Sequence, residues 1–107
     1  MRDPMTVDRE VAPEATRLAV QGELDLAGGG EIRSAMEQAA RDRAPKVRLD
    51  LRDVSFLDSS GLAAVLAGAR TLDQHGTALE TECPHGSEAR LVIEMAGVGR
   101  LLGLRDD

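Results

Sequence analysis

Asp58, Ser59, Ser60 and Gly61 place a carboxylate and two hydroxyls in succession just ahead of a run with helical apolar spacing. Two kinds of chemistry use such a cluster. An aspartate or serine at the mouth of a helix accepts one of the N–H groups that the first turn leaves without a partner. A serine can also act as a nucleophile when a histidine base and an orienting acid stand beside it. The second reading meets a shortage of bases. D-S-S-G is not the G-x-S-x-G elbow, and the histidines available are His75 and His85. His75 falls at the far end of the helix that Ser59 opens, more than about 20 Å away at a rise of about 1.5 Å per residue. His85 is held near Ser59 by no pattern. Capping accounts for the cluster locally, and capping is compatible with a further role.

Other chemistry finds less support. Cys83, His85 and a carboxylate lack the paired spacing of a metal site, so no metal is expected. The run from Gly97 through Gly99 to Gly103 has one residue too many for G-x-G-x-x-G and lies at the chain end, so it reads as a helix stop. There is no G-x-x-x-x-G-K-[ST] loop, and no cofactor and no catalytic residue are expected.

The elements that must position the cluster follow from periodicity. Thr6 to Val11 is a weak extended segment, Pro13 turns the chain, and residues 17–24 form a second strand, so a hairpin opens the domain. Residues 30–43 set Ile32, Ala35, Met36, Ala39 and Ala40 on one helical face. The preceding Gly28-Gly29-Gly30 is expected to be a mobile loop, since each glycine inside a helix costs about 1 kcal/mol. Residues 47–52 alternate apolar with charged side chains and predict a strand with one buried and one wet face. Arg48 and Arg52 can pair across strands with Glu80 and Glu82 or be solvated, and solvation is the default because exposed pairs contribute only about 0 to 1 kcal/mol. Residues 59–75 carry Leu62, Val65, Leu66, Ala69 and Leu72 at helical spacing, with Gly76 closing the helix. Residues 78–83 are a short strand, and Ser87 caps a helix whose apolar residues are Leu91, Val92 and Met95. The order predicts an α/β fold: one domain over residues 1–107 with a small mixed sheet of four to five strands and helices mainly on one face.

Composition narrows the partners. The chain has 107 residues, 30% charged and 42% hydrophobic, with net charge -6. An acidic surface repels nucleic acid and anionic membranes on average. Phe56 is the single aromatic residue, so base-stacking platforms are missing. Cys83 has no partner for a disulfide, and no signal peptide or long apolar run follows Met1, which points to the cytoplasm.

Residues 47–66, V-R-L-D-L-R-D-V-S-F-L-D-S-S-G-L-A-A-V-L, resemble the signature of STAS domains, specifically of bacterial anti-sigma factor antagonists. Gly22-Glu23-Leu24-Asp25 is similar to the turn after that family's second strand, and residues 96–102 resemble its closing stretch. The resemblance implies a protein that is not an enzyme. It would bind an anti-sigma factor that is also a serine kinase, free a sigma factor, and be switched off by phosphorylation of Ser59. A phosphoserine phosphatase of the PP2C-like type would reverse the switch. Gly22, Glu23, Asp25, Asp58, Ser59, Ser60, Gly61 and Leu62 would form the docking face. Ser60 would support through its hydroxyl, and Gly61 would either let a partner approach closely or be a tolerated first-turn glycine. For Leu62, its place in the apolar stripe favours the core over the partner. The alternative is a STAS scaffold, or a partner-switch module regulating a target other than a sigma factor. A start at Met1 without a membrane span speaks against the transporter-attached form of the domain.

Overall fold

Alternating side chains and two helical stripes assemble into four strands and three helices in a computed structural model that describes residues 4–105. The elements are β1 (Thr6–Val11), β2 (Thr16–Leu24), α1 (Leu26–Arg41), β3 (Lys46–Leu57), α2 (Ser59–Gln74), β4 (Ala78–Glu82) and α3 (Glu88–Ala96). The sheet order is β1-β2-β3-β4. β1 runs antiparallel to β2, while β2–β3 and β3–β4 are parallel, each joined through a helix. Beyond α3 the chain returns beside β4: the Thr81 N–H donates to the Gly103 carbonyl at 3.0 Å and the Arg105 N–H to the Thr81 carbonyl at 3.0 Å. The buried Thr81 hydroxyl donates to the Leu102 carbonyl, so the edge of β4 is covered by the chain's own end.

Register explains why one face is dry. Leu18, Leu49 and Thr81 stand in one row across the sheet, and Leu18, Val20, Val47, Leu49 and Leu51 share that face with the helices. Against it α1 lays Ile32, Met36, Ala39 and Ala40, and α2 lays Leu62, Val65, Ala69 and Leu72. The opposite face carries the rows Arg17–Arg48–Glu80 and Ala19–Asp50–Glu82. It is less wet than its alternation predicts. Asp50 is only 5% exposed, held by ion pairs to Arg17 and Arg52, and Arg52 reaches Glu82 at 3.8 Å. Neighbouring Lys46 meets Glu80 at 2.8 Å. Of the two readings of these charges the structure takes the paired one for Arg52, Glu80 and Glu82 rather than the solvated default, because adjacent parallel strands bring opposite signs together.

Two helices differ from their sequence reading. α1 begins at Leu26, so the three glycines lie inside it, and Gly28 and Gly29 are buried. The loop expected there is absent because the space is taken. A Cβ on Gly28 would lie 2.9 Å from the Met5 side chain, and one on Gly29 would lie 2.9 Å from the Ala64 Cβ. Glycine lets α1 seat against β2 and α2 in its first turn, and that packing outweighs the intrinsic cost of glycine in a helix. In α3, Leu91 and Met95 point outward and Ala89, Arg90 and Ile93 point inward. Arg90 is buried because its guanidinium donates to the Cys83 and Arg105 carbonyls, each at 2.8 Å, and to Glu94 at 2.9 Å.

Candidate functional site

β2 and β3 end side by side, with Leu24 opposite Leu57, and each strand leads directly into a helix through an aspartate. Asp25 caps α1, accepting from the N–H groups of Ala27 at 3.1 Å and Gly28 at 3.2 Å. Asp58 caps α2, accepting from Gly61 N–H at 2.8 Å, and its own N–H donates to the Leu24 carbonyl at 3.4 Å. Two helix N-termini are thus fixed at one end of the sheet by the same device. β3 reaches this end as a strand through Leu57, beyond the residues 47–52 that its alternation predicts.

The cap falls to Asp58, and that decides the state of Ser59. Ser59 is the first residue of α2, exposed, and its hydroxyl enters no hydrogen bond among the described residues. Ser60 is half-buried beside it. Three of the predicted docking residues face inward. Leu62 is 7% exposed and belongs to the core. Gly61 is buried against the chain itself: a Cβ there would lie 2.0 Å from the Leu24 carbonyl oxygen, so the close approach that needs glycine is internal. Gly22 is buried within β2 at φ +89°, where the register against β3 shifts by a residue. A left-handed conformation at a bulge favours glycine, which gives Gly22 a backbone role. Glu23 and Asp25 remain half-exposed at the strand end.

What gathers at this end is acidic with an aliphatic edge. A shallow hollow of about 370 Å³ is lined by Glu23, Asp25 and Glu31 together with Pro4, Met5 and Ala27. Leu26, next to the Asp25 cap, is 80% exposed, and Phe56, opposite Glu23, is partly exposed. The sequence reading missed both. The available signal was Leu26 standing outside the apolar stripe of its helix.

Other candidates lie elsewhere. His75 is the C-cap of α2, with Nδ1 2.9 Å from the Thr71 carbonyl, at the far end of the helix from Ser59. Cys83 is buried, which pushes its thiol pKa up, and Sγ lies 3.5 Å from the Ser87 hydroxyl. Among the described residues no group of three His, Cys, Asp or Glu side chains is arranged to hold a metal ion. No helix among them is long and apolar enough to cross a membrane.

A parallel βαβαβ arrangement behind an antiparallel first strand, with a capped D-S-S-G turn opening α2, defines a STAS-type domain, and the family described as "Mlab, STAS domain" matches residues 7–103. The chain belongs to the STAS domain family. It is 26% identical over 89 residues to an anti-sigma F factor antagonist of Paenibacillus polymyxa, covering 82% of this chain and 75% of that protein. Its fold superposes on an anti-sigma factor antagonist from Mycobacterium paratuberculosis with a TM-score of 0.83 at 22% identity, over 97% of this chain and 87% of that one. The Bacillus cell fate determinant SpoIIAA, solved in its phosphorylated form, aligns with a TM-score of 0.67 at 26% identity, over 95% and 93% of the two chains.

Proposed function

We propose that this protein is an anti-sigma factor antagonist that works by partner switching. With Ser59 unmodified it docks an anti-sigma factor that is also a serine kinase and so frees a sigma factor; phosphorylation of Ser59 ends the docking, and a phosphoserine phosphatase of the PP2C-like type restores it. The observation that carries this reading is exposed Ser59 at the first turn of α2, whose hydroxyl enters no hydrogen bond among the described residues. The resemblance to an anti-sigma F factor antagonist and to a phosphorylated SpoIIAA supports it.

The physical logic is electrostatic. A phosphate adds about -1.5 to -2 charge, and here it lands on a chain of net charge -6, beside the Asp58 carboxylate. The N-terminus of α2 tolerates the anion within the molecule through its N–H groups and dipole, so the scaffold is kept. A partner must instead desolvate a dianion, and each 1.4 kcal/mol so lost weakens binding about tenfold. Glu23, Asp25 and exposed Leu26 would supply the acidic and aliphatic parts of the contact, and Ser60 an auxiliary hydroxyl.

Incubation with the cognate kinase and ATP, followed by mass spectrometry, should place one phosphate on Ser59 and none on Ser59→Ala. In pull-downs Ser59→Ala should retain the kinase and Ser59→Asp should lose it. Label persisting in Ser59→Ala, or equal recovery with both variants, overturns the switch.

A further inference from the structure

We propose that the groove between the outer flank of α2 and the turn following α3 is a second docking site, which takes a protein segment combining carboxylates with aliphatic side chains. Leu66, Arg70 and Asp73 stand at i, i+4 and i+7 and share one flank of α2. With Ala69 beneath them, and Arg100 and Leu101 across from them, they enclose about 450 Å³. The floor is aliphatic, and Leu101 is 69% exposed although its neighbour Leu102 is fully buried. Arg70 and Arg100 are both exposed, and among the described residues neither guanidinium makes an ion pair or hydrogen bond. That sets them apart from Arg9, Arg17, Arg33, Arg52 and Arg90, each of which meets a carboxylate of this chain.

The occupant follows from complementarity. Guanidinium groups recognise planar carboxylates through paired hydrogen bonds, and an aliphatic floor rewards Leu or Ile between them. A nucleic acid fits poorly, since the floor is aliphatic and no aromatic residue lines the groove for stacking. The groove starts about 10 Å along α2 from Ser59, by helical rise. Its sign is opposite to that of the acidic hollow at the Ser59 end. The proposal therefore stands whether or not Ser59 is a switch.

The test is selection of displayed random peptides of about twelve residues on the immobilised full chain, with affinities of the enriched peptides then measured by fluorescence polarisation. Enrichment of Asp or Glu interspersed with Leu or Ile is expected, with binding that weakens as salt is added. The double variant Arg70→Glu with Arg100→Glu should bind these peptides about tenfold or more weakly, while its thermal melt matches wild type and Ser59→Asp binds as wild type does. The site is overturned if no acidic aliphatic peptides emerge, if the double variant binds them undiminished, or if Ser59→Asp is what abolishes binding.

Discussion

A single missing methyl group holds the Ser59 turn in place. Gly61 sits so close to the Leu24 carbonyl that a side chain cannot enter without pushing α2 away from β2. Gly61→Ala should therefore destabilise the fold by about 2 kcal/mol, seen as a melting temperature lower by about 10 °C for a domain of this size. Gly30, also inside a helix, has nothing within 4 Å of its Cβ direction and is exposed. Gly30→Ala should raise stability by about 0.5 to 1 kcal/mol through helix propensity and unfolded-state entropy. Calorimetry of the two variants separates a packing glycine from a merely tolerated one; equal effects would refute the distinction. D-S-S-G names the position of Gly61 but is silent about the carbonyl it must clear, because Leu24 is 37 residues away along the chain.

At the scale of elements, α3 is held by a residue that its sequence reading does not single out, Arg90. Arg90 links β4 to the returning chain end by donating to the Cys83 and Arg105 carbonyls. Its charge is balanced by Glu94. Arg90→Ala removes these donors and takes from the buried Cys83 carbonyl the guanidinium that meets it, at a cost of about 2 kcal/mol. Hydrogen exchange should localise the effect, with the amides of Thr81 and Arg105, which hold the chain end to β4, exchanging faster while β2 and α1 keep their protection. Unchanged exchange at Thr81 would show that Arg90 does not fasten this edge. The amphipathic pattern of α3 was legible as a helix between Ser87 and Gly97, and both caps form there. Its inner face was not, since a sequence pattern treats arginine as polar whatever carbonyls lie within reach.

Across the whole molecule, charge couples folding to acidity. Hydrogen bonds from Gln38 and Arg9 hold the Asp42 carboxyl below its ordinary range, and one from Lys46 does the same for Glu80. Burial alone would raise Asp50, but the hydrogen bonds from the Arg52 side chain and backbone, with the charge of Arg17, outweigh it and bring it down as well. The folded state thus keeps these groups ionised to lower pH than the unfolded chain does. Their stabilisation is fully present above the unfolded values, near about pH 4, and is lost as pH falls through the folded ones. Urea midpoints should hold steady from about pH 7 to pH 5 and fall toward pH 3. Asp50→Asn should be less stable at neutral pH and show a shallower acid loss, whereas a slope as steep as wild type would exclude Asp50 as a main contributor. At this scale the division between sequence and structure is plain. The order of the seven elements and the capped D-S-S-G turn could be read directly, because periodicity and capping depend on residues within a few positions of one another. Tertiary structure alone decided that α1 starts at Leu26, that Gly22 and Gly61 turn inward while Leu26 turns outward, and that Asp50 is ion-paired rather than wet. Each of those outcomes rests on which distant strand or helix stands opposite, a non-local fact that local pattern does not encode.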